Sequence, residues 1–297
     1  VPYSPRHLRK SVIIQRVTLA IKVLLAPSFV VCASLAARRF GPRVGGLVGG
    51  LPVVAGPILL IYALAHGASF AADAAASTLL GLISLTAFVV VYGRLARHLP
   101  WLLSLLAGWL AFGVGTLFFS TLTIPLGAAL IMACASFLVG LKLLPDPLFA
   151  PSKPSPPPVL DLPLRAFCAM LLVLALTAAS GWLGSRLSGL LAPFPVIASV
   201  LAVFTHAQRG ADDFLRLARG LLAGFFAFAL FCFTLSLSLR ALPIAASFVL
   251  ATGVAALVQG LMLARASRSP TNKRSDAYPS SPTATFAGTS PHNCSSR

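Results

Sequence analysis

Few side chains in this sequence could do chemistry, and those few lie in or beside long apolar runs. Lys22 and Arg165 each sit about one helical turn inside such a run, 143 residues apart. A cation at that depth either snorkels to the lipid head groups or offers its charge to an anionic substrate in a vestibule. His206, near the end of another run, is either interfacial or part of a proton relay. Asp and Glu together number six, so paired carboxylates for acid–base work have almost no source. The sequence contains no GxSxG, HExxH or phosphate-loop motif. Cys32, Cys134, Cys168, Cys232 and Cys294 follow no metal or disulfide spacing. An enzyme, a cofactor and a metal site are therefore not expected.

The backbone is the other source of polar groups. One apolar run carries Gly45, Gly46, Gly49, Gly50, Gly56, Pro52 and Pro57, and a second carries Gly189, Pro193 and Pro195. Proline has no amide N–H and frees a carbonyl in the preceding turn. Inside a bilayer such a carbonyl must find protein or cavity water. Gly46, Gly49, Pro52, Pro57, Gly189, Pro193, Pro195, Lys22 and Arg165 are thus the candidates for lining a substrate path. Pro52 and Pro195 are the sharpest of these, as a hinge or helix break. Glycines four apart also let helices approach closely, and that alone accounts for Gly45-x-x-x-Gly49 and Gly46-x-x-x-Gly50.

The elements that must hold these residues are membrane helices. The chain is 58% hydrophobic and 10% charged, whereas soluble domains run near about 25% charged. Apolar runs of membrane-crossing length predict an all-α, polytopic transmembrane bundle of about nine spans. These cover roughly 19–38, 44–66, 71–93, 99–119, 124–143, 163–182, 187–207, 214–238 and 242–264. The net charge of +17 lies in short loops and tails, where membrane orientation explains it, so nucleic acid is not an expected partner.

Two blocks of the chain are copies. From Gly41 to Ala68, nine of 28 positions are identical to residues 143 further on. The matches include Arg43/Arg186, Gly46/Gly189, Leu47/Leu190, Pro52/Pro195, Val53/Val196 and Ala55/Ala198. The offset maps the first four spans onto the last four and leaves the fifth unpaired. Five crossings before the second copy begins would invert it, giving a 4+1+4 inverted repeat of the kind transporters use. The expected organisation is a tail at 1–18, a first repeat at 19–119 and a linking span at 124–143. A Pro-rich, extended linker at 144–162, a second repeat at 163–264 and a disordered tail at 265–297 follow.

Charge weighting agrees with inversion. Arg38, Arg39, Arg43, Arg94 and Arg97 flank copy one's outer loops, and Arg209, Arg216 and Arg219 flank copy two's middle loop. The positive-inside rule then puts the N-terminus outside and the C-terminus in the cytoplasm. Asp73 and Arg216 occupy equivalent positions and should lie on opposite faces. Arg6, Arg9, Lys10 and Arg16 pull the other way, which an upstream extension or the greater weight of the loops would explain. Residues 6–37 also mimic a signal peptide, although a retained first span is expected from its internal counterpart.

The stretch Ser188 to Pro195, continuing to Gly224, resembles the GlpM-type family of small bacterial inner-membrane proteins. Its Gly-Leu-x-x-x-x-Pro pattern also occurs at Gly46-Leu47 and Pro52. The resemblance implies a fused, duplicated version of a four-span unit in the bacterial inner membrane, associated with envelope polysaccharide production. It brings no catalytic residue, cofactor or substrate. The expected function is a permease or exporter of a small or lipid-like substrate. A non-transporting scaffold for envelope assembly is the alternative. Expected partners are the lipid bilayer, a second copy in a homodimer, or envelope-assembly proteins.

Overall fold

The computed structural model describes residues 27–53, 55–149, 160–180 and 194–268. Every regular element among them is helical. These are α1 (27–40), α2 (Pro42–Gly49), α3 (Ala55–His66), α4 (Ala68–Leu95) and α5 (Trp101–Ser120). There follow α6 (Leu126–Leu143), α7 (Asp161–Ser180), α8 (Val196–Arg209), α9 (Ala211–Ser238) and α10 (Ile244–Arg268). Both chain tails, most of the Pro-rich linker, Lys22, Gly189 and Pro193 fall outside the described residues.

Among the described residues, five helices are long and apolar enough to cross a membrane: Ala68–Leu95, Trp101–Ser120, Leu126–Leu143, Ala211–Ser238 and Ile244–Arg265. They are compatible with a multi-pass membrane protein. Four of the nine expected spans are not among these five, and the second of them departs from expectation. The run 44–66 is not one helix but two short ones, α2 and α3, with non-helical backbone at 51–53. Run length cannot see this break, because the residues that make it are themselves apolar.

The centre is the pair α4 and α9, which run antiparallel. Arg97, just past the end of α4, donates to Asp212 in the first turn of α9 at 2.8 Å. At the opposite end Arg240, past the end of α9, donates to Asp73 near the start of α4 at 2.9 Å. Each helix has 28 residues, and their bounds differ by 143 at both ends. Each is entered through a single glycine with positive φ, Gly67 at 93° and Gly210 at 83°. That backbone region is open to glycine at little cost, so one residue suffices to turn the chain from α3 into α4 and from α8 into α9.

Aromatic side chains fill the seam. Tyr92 stacks on Phe214 with centroids 4.4 Å apart, and Phe88 lies beside Tyr92. Phe137 of α6 packs against Phe225 and Phe226 of α9. Helix α6, which has no counterpart under the 143-residue offset, therefore touches the centre directly. The outer faces of α5 and α10 expose Leu110, Val114, Leu117, Val249, Leu257 and Leu261. In lipid such a surface carries no hydration penalty.

Helix α2 crosses α9 with almost no side chain between the backbones. A Cβ added to Gly46 would overlap the Leu217 carbonyl, and one on Gly220 would overlap the Arg43 carbonyl. On Gly224 it would lie 2.6 Å from the Leu47 oxygen, and on Gly50 2.8 Å from the Gly224 Cα. Glycines four apart on both helices make this approach possible. Gln259 of α10 closes the crossing by donating from Nε2 to the Leu47 carbonyl at 2.7 Å.

Candidate functional site

The chain makes the same turn at Pro52, between α2 and α3, and at Pro195, just ahead of α8. The Val53 N–H donates to the Leu51 carbonyl at 2.9 Å, and the Gly56 N–H donates to the Pro52 carbonyl at 2.8 Å. At the second position the Val196 N–H donates to the Phe194 carbonyl and the Ser199 N–H to the Pro195 carbonyl, both at 2.7 Å. Pro195 has φ −73° and ψ 48°, close to an inverse γ-turn. Proline suits the centre of such a turn, since its φ is already fixed and no N–H is lost.

A small apolar cavity of about 40 Å³ lies between the two turns. Leu51 and Phe194, Ala55 and Ala198, and Leu85 and Phe228 line it. Each pair is separated by 143 residues. Gly49 and Pro195 also line it, and a Cβ on Gly49 would press on the Leu201 side chain. Helix α5 holds one wall in place. Trp109 and Phe112 pack on Phe194, with centroids 6.0 and 5.4 Å away, and the Trp109 indole donates to Ser199 Oγ at 2.9 Å. The arrangement offers two proline-turned chain segments facing one small, partly open cavity, lined by side chains without acid, base or nucleophile.

The other predicted residues fall elsewhere. Gly46 belongs to the α2–α9 crossing, and Pro57 lies in the first turn of α3. Arg165 does not line the cavity. It is buried, with Nε donating to Asp161 at 2.9 Å, Nη2 donating to Gln208 at 3.0 Å, and its guanidinium 4.8 Å above the Phe204 ring. Arg38 and Gln208 donate to the same carboxylate. Burial pushes the Asp161 carboxyl up, but the hydrogen bonds from Gln208, Arg165 and Arg38 and the charge of Arg165 outweigh it and hold the group below its ordinary value. Asp161 escaped sequence reasoning because it borders a Pro-rich stretch. Its Asp-x-x-x-Arg spacing to Arg165 was the available signal. His206 shares a hydrogen bond with the Tyr92 hydroxyl at 3.2 Å.

Beside this cluster, the segment following α6 is strapped across the ends of α4 and α9. Arg94 donates to the Leu143 carbonyl at 3.0 Å, and Arg97 donates to the Asp146 carbonyl. Arg219 donates to the Leu144 carbonyl at 3.1 Å and to Asp146 Oδ1 at 2.6 Å. Arg216 donates to the Phe149 carbonyl and, at 2.8 Å, to Asp213. Asp212 Oδ2 accepts the Leu148 and Phe149 N–H groups at 3.1 and 2.9 Å. The described start of the linker is thus tied down rather than free, by two arginines from each of the two copied blocks.

Among the described residues, no group of three or more His, Cys, Asp or Glu is placed to hold a metal ion. No protein-family model, curated protein or solved structure matches the chain.

Proposed function

We propose that the chain is an inner-membrane permease or exporter, built as a 4+1+4 inverted repeat of nine membrane segments and working by alternating access. One repeat rocks against the other about the cavity between the two proline turns. The observation that carries this is the matched pair of proline turns at Pro52 and Pro195, each turning its chain beside the same small cavity. Interrupted segments at corresponding positions of two halves are the mark of a transporter's central site. The antiparallel α4 and α9, with bounds offset by 143 residues, support inversion. The duplicated unit is the one that resembles the GlpM-type proteins. Arg38, Arg94, Arg97, Arg216 and Arg219 gather at one end of this pair, which supports a cytoplasmic placement of that end, with the C-terminus inside.

The apolar lining suits the hydrocarbon part of a lipid-like substrate, whereas a bare ion there would have no partner. The test is flux in proteoliposomes, using a tail-labelled fluorescent phospholipid and a small amphipathic dye as probes. Pro52→Ala and Pro195→Ala, each checked for intact folding, should slow flux about tenfold or more, corresponding to ~1.4 kcal/mol on the barrier. Unchanged flux in both variants defeats the hinge.

A scaffold for envelope polysaccharide or lipid assembly is the second reading, and the α2–α9 crossing favours it. Backbones in contact at Gly46, Gly50, Gly220 and Gly224 make a stiff body. Absence of flux with every probe, together with capture of envelope-synthesis enzymes by the intact protein, would select it.

A further inference from the structure

A second and much larger cavity, about 580 Å³, opens at the end of the molecule opposite the strap. It lies between the start of α4 and the turn joining α5 to α6, with Arg240 reaching in from the end of α9. Its volume falls within the range of small-molecule sites. Two features of its lining point to one class of ligand.

The first is its charge. Among the lining residues there is one acid and one base, Asp73 and Arg240, whose charged atoms meet at 2.9 Å. Their side chains are 73% and 60% exposed. An ion pair that open is held by no more than about 1 kcal/mol, so a ligand carrying both charges can replace it without loss. A simple anion reaching Arg240 would meet Asp73, and a simple cation reaching Asp73 would meet Arg240. Only a zwitterion satisfies both.

The second is the apolar wall. Phe70, Leu80, Phe119 and Leu126 continue the cavity away from the ion pair. Nearby on α5 and α6, Leu117, Phe118 and Ile131 expose most of their surface, where a bilayer would lie against them. A hydrocarbon chain can leave the cavity toward lipid while the head stays at the charges. Part of the wall comes from α6 and the turn before it, the segment without a counterpart in the other copied block, so the site belongs to one end of the molecule only by construction.

We propose that this vestibule binds the head group of a zwitterionic amphiphile, its cationic group on Asp73 and its anionic group on Arg240, with the tail along Leu80, Phe119 and Leu126. This deepens the permease reading by naming a substrate class, and it rests on that reading only for the fate of the bound molecule. Binding itself is an equilibrium property.

The experiment measures equilibrium binding of tail-labelled phosphatidylethanolamine to the intact protein in detergent micelles. Tail-labelled phosphatidylglycerol, a tail-labelled alkyl trimethylammonium and soluble glycerophosphoethanolamine run beside it. The zwitterionic lipid should bind most tightly. Asp73→Asn and Arg240→Gln should each weaken it about threefold to fivefold, the scale of one exposed charge pair. The exchanged variant Asp73→Arg with Arg240→Asp should restore binding, which a mere folding defect would not allow. Equal affinity for phosphatidylglycerol, or no loss in either single variant, overturns the proposal. Competition by glycerophosphoethanolamine as strong as by the lipid overturns the amphiphile and leaves a soluble zwitterion. Binding retained with no flux would sink the permease reading alone.

Discussion

Replacing Gly224 by alanine tests the α2–α9 crossing most directly. The new Cβ would stand 2.6 Å from the Leu47 oxygen and 3.0 Å from the Gly50 Cα. A carbon meets a carbonyl oxygen at about 3.3 Å or more, so the two backbones must part by roughly 0.7 Å. A gap of that size forfeits a quarter to a half of each van der Waals contact across the crossing. It also strains the Gln259 bond, which ends on the same Leu47 oxygen at 2.7 Å. Overpacking of this kind costs about 1–3 kcal/mol, while alanine returns up to about 1 kcal/mol of helix propensity. The net expectation is a loss of about 1–2 kcal/mol. Gly113 and Gly253 lie in helices with nothing within 4 Å of an added Cβ, so alanine there should be neutral or stabilise by up to about 1 kcal/mol. Reversible unfolding in mixed micelles, followed by tryptophan fluorescence, measures all three. If Gly224→Ala proves as stable as Gly253→Ala, the backbones do not touch there and the reasoning is wrong.

Asp161→Asn removes the carboxylate that Arg38, Arg165 and Gln208 share, and should cost about 3 kcal/mol because it leaves a buried guanidinium without its counter-charge. The carboxyl's folded pKa is lowered, so its stabilisation is present above the ordinary carboxylate range and is lost as pH falls through the folded value. Wild-type stability should therefore fall in acid more steeply than that of the variant, read from unfolding curves at pH 7 and pH 3. Asp212→Ala removes the acceptor of the Leu148 and Phe149 amides, and hydrogen exchange at those two amides should accelerate about tenfold; unchanged exchange would mean the strap is held elsewhere. Single cysteines at Ser69 and Leu242 should label from one side of a sealed vesicle, and cysteines at His98 and Ala211 from the other. Labelling of all four from one side would refute the antiparallel pair as a membrane-crossing unit.

Apolar run length made the long helices legible: Ala68–Leu95 and Ala211–Ser238 depart from the expected 71–93 and 214–238 by no more than three residues at any end. The proline positions drew attention to Pro52 and Pro195, but not to the turn that each forms, because an i-to-i+2 hydrogen bond leaves no trace in hydropathy. The arginines were legible only as markers of orientation. That Arg94, Arg97, Arg216 and Arg219 also bind a strap depends on carbonyls at 143–149, which no side-chain pattern announces. Lys22 and Arg165 looked equivalent by position. Arg165 is distinguished by Asp161, a partner four residues upstream that copy one lacks, since the corresponding residue is Thr18. Gly220-x-x-x-Gly224 was hidden for another reason: four-residue glycine spacing matters only once its partner helix is known, and that partner is far away in the chain.

That distance has a consequence for how the protein is made. Helix α2 ends at Gly49 and the helix it rests on begins at Ala211. At roughly 5–20 residues per second, the ribosome needs about 8–30 s to supply the second surface after finishing the first. Throughout that interval only the α1-facing side of α2, at Gly45, has its partner, and the side carrying Gly46 and Gly50 lacks the surface it rests on. The α2–α9 crossing is therefore a contact that can form only after most of the chain has been made.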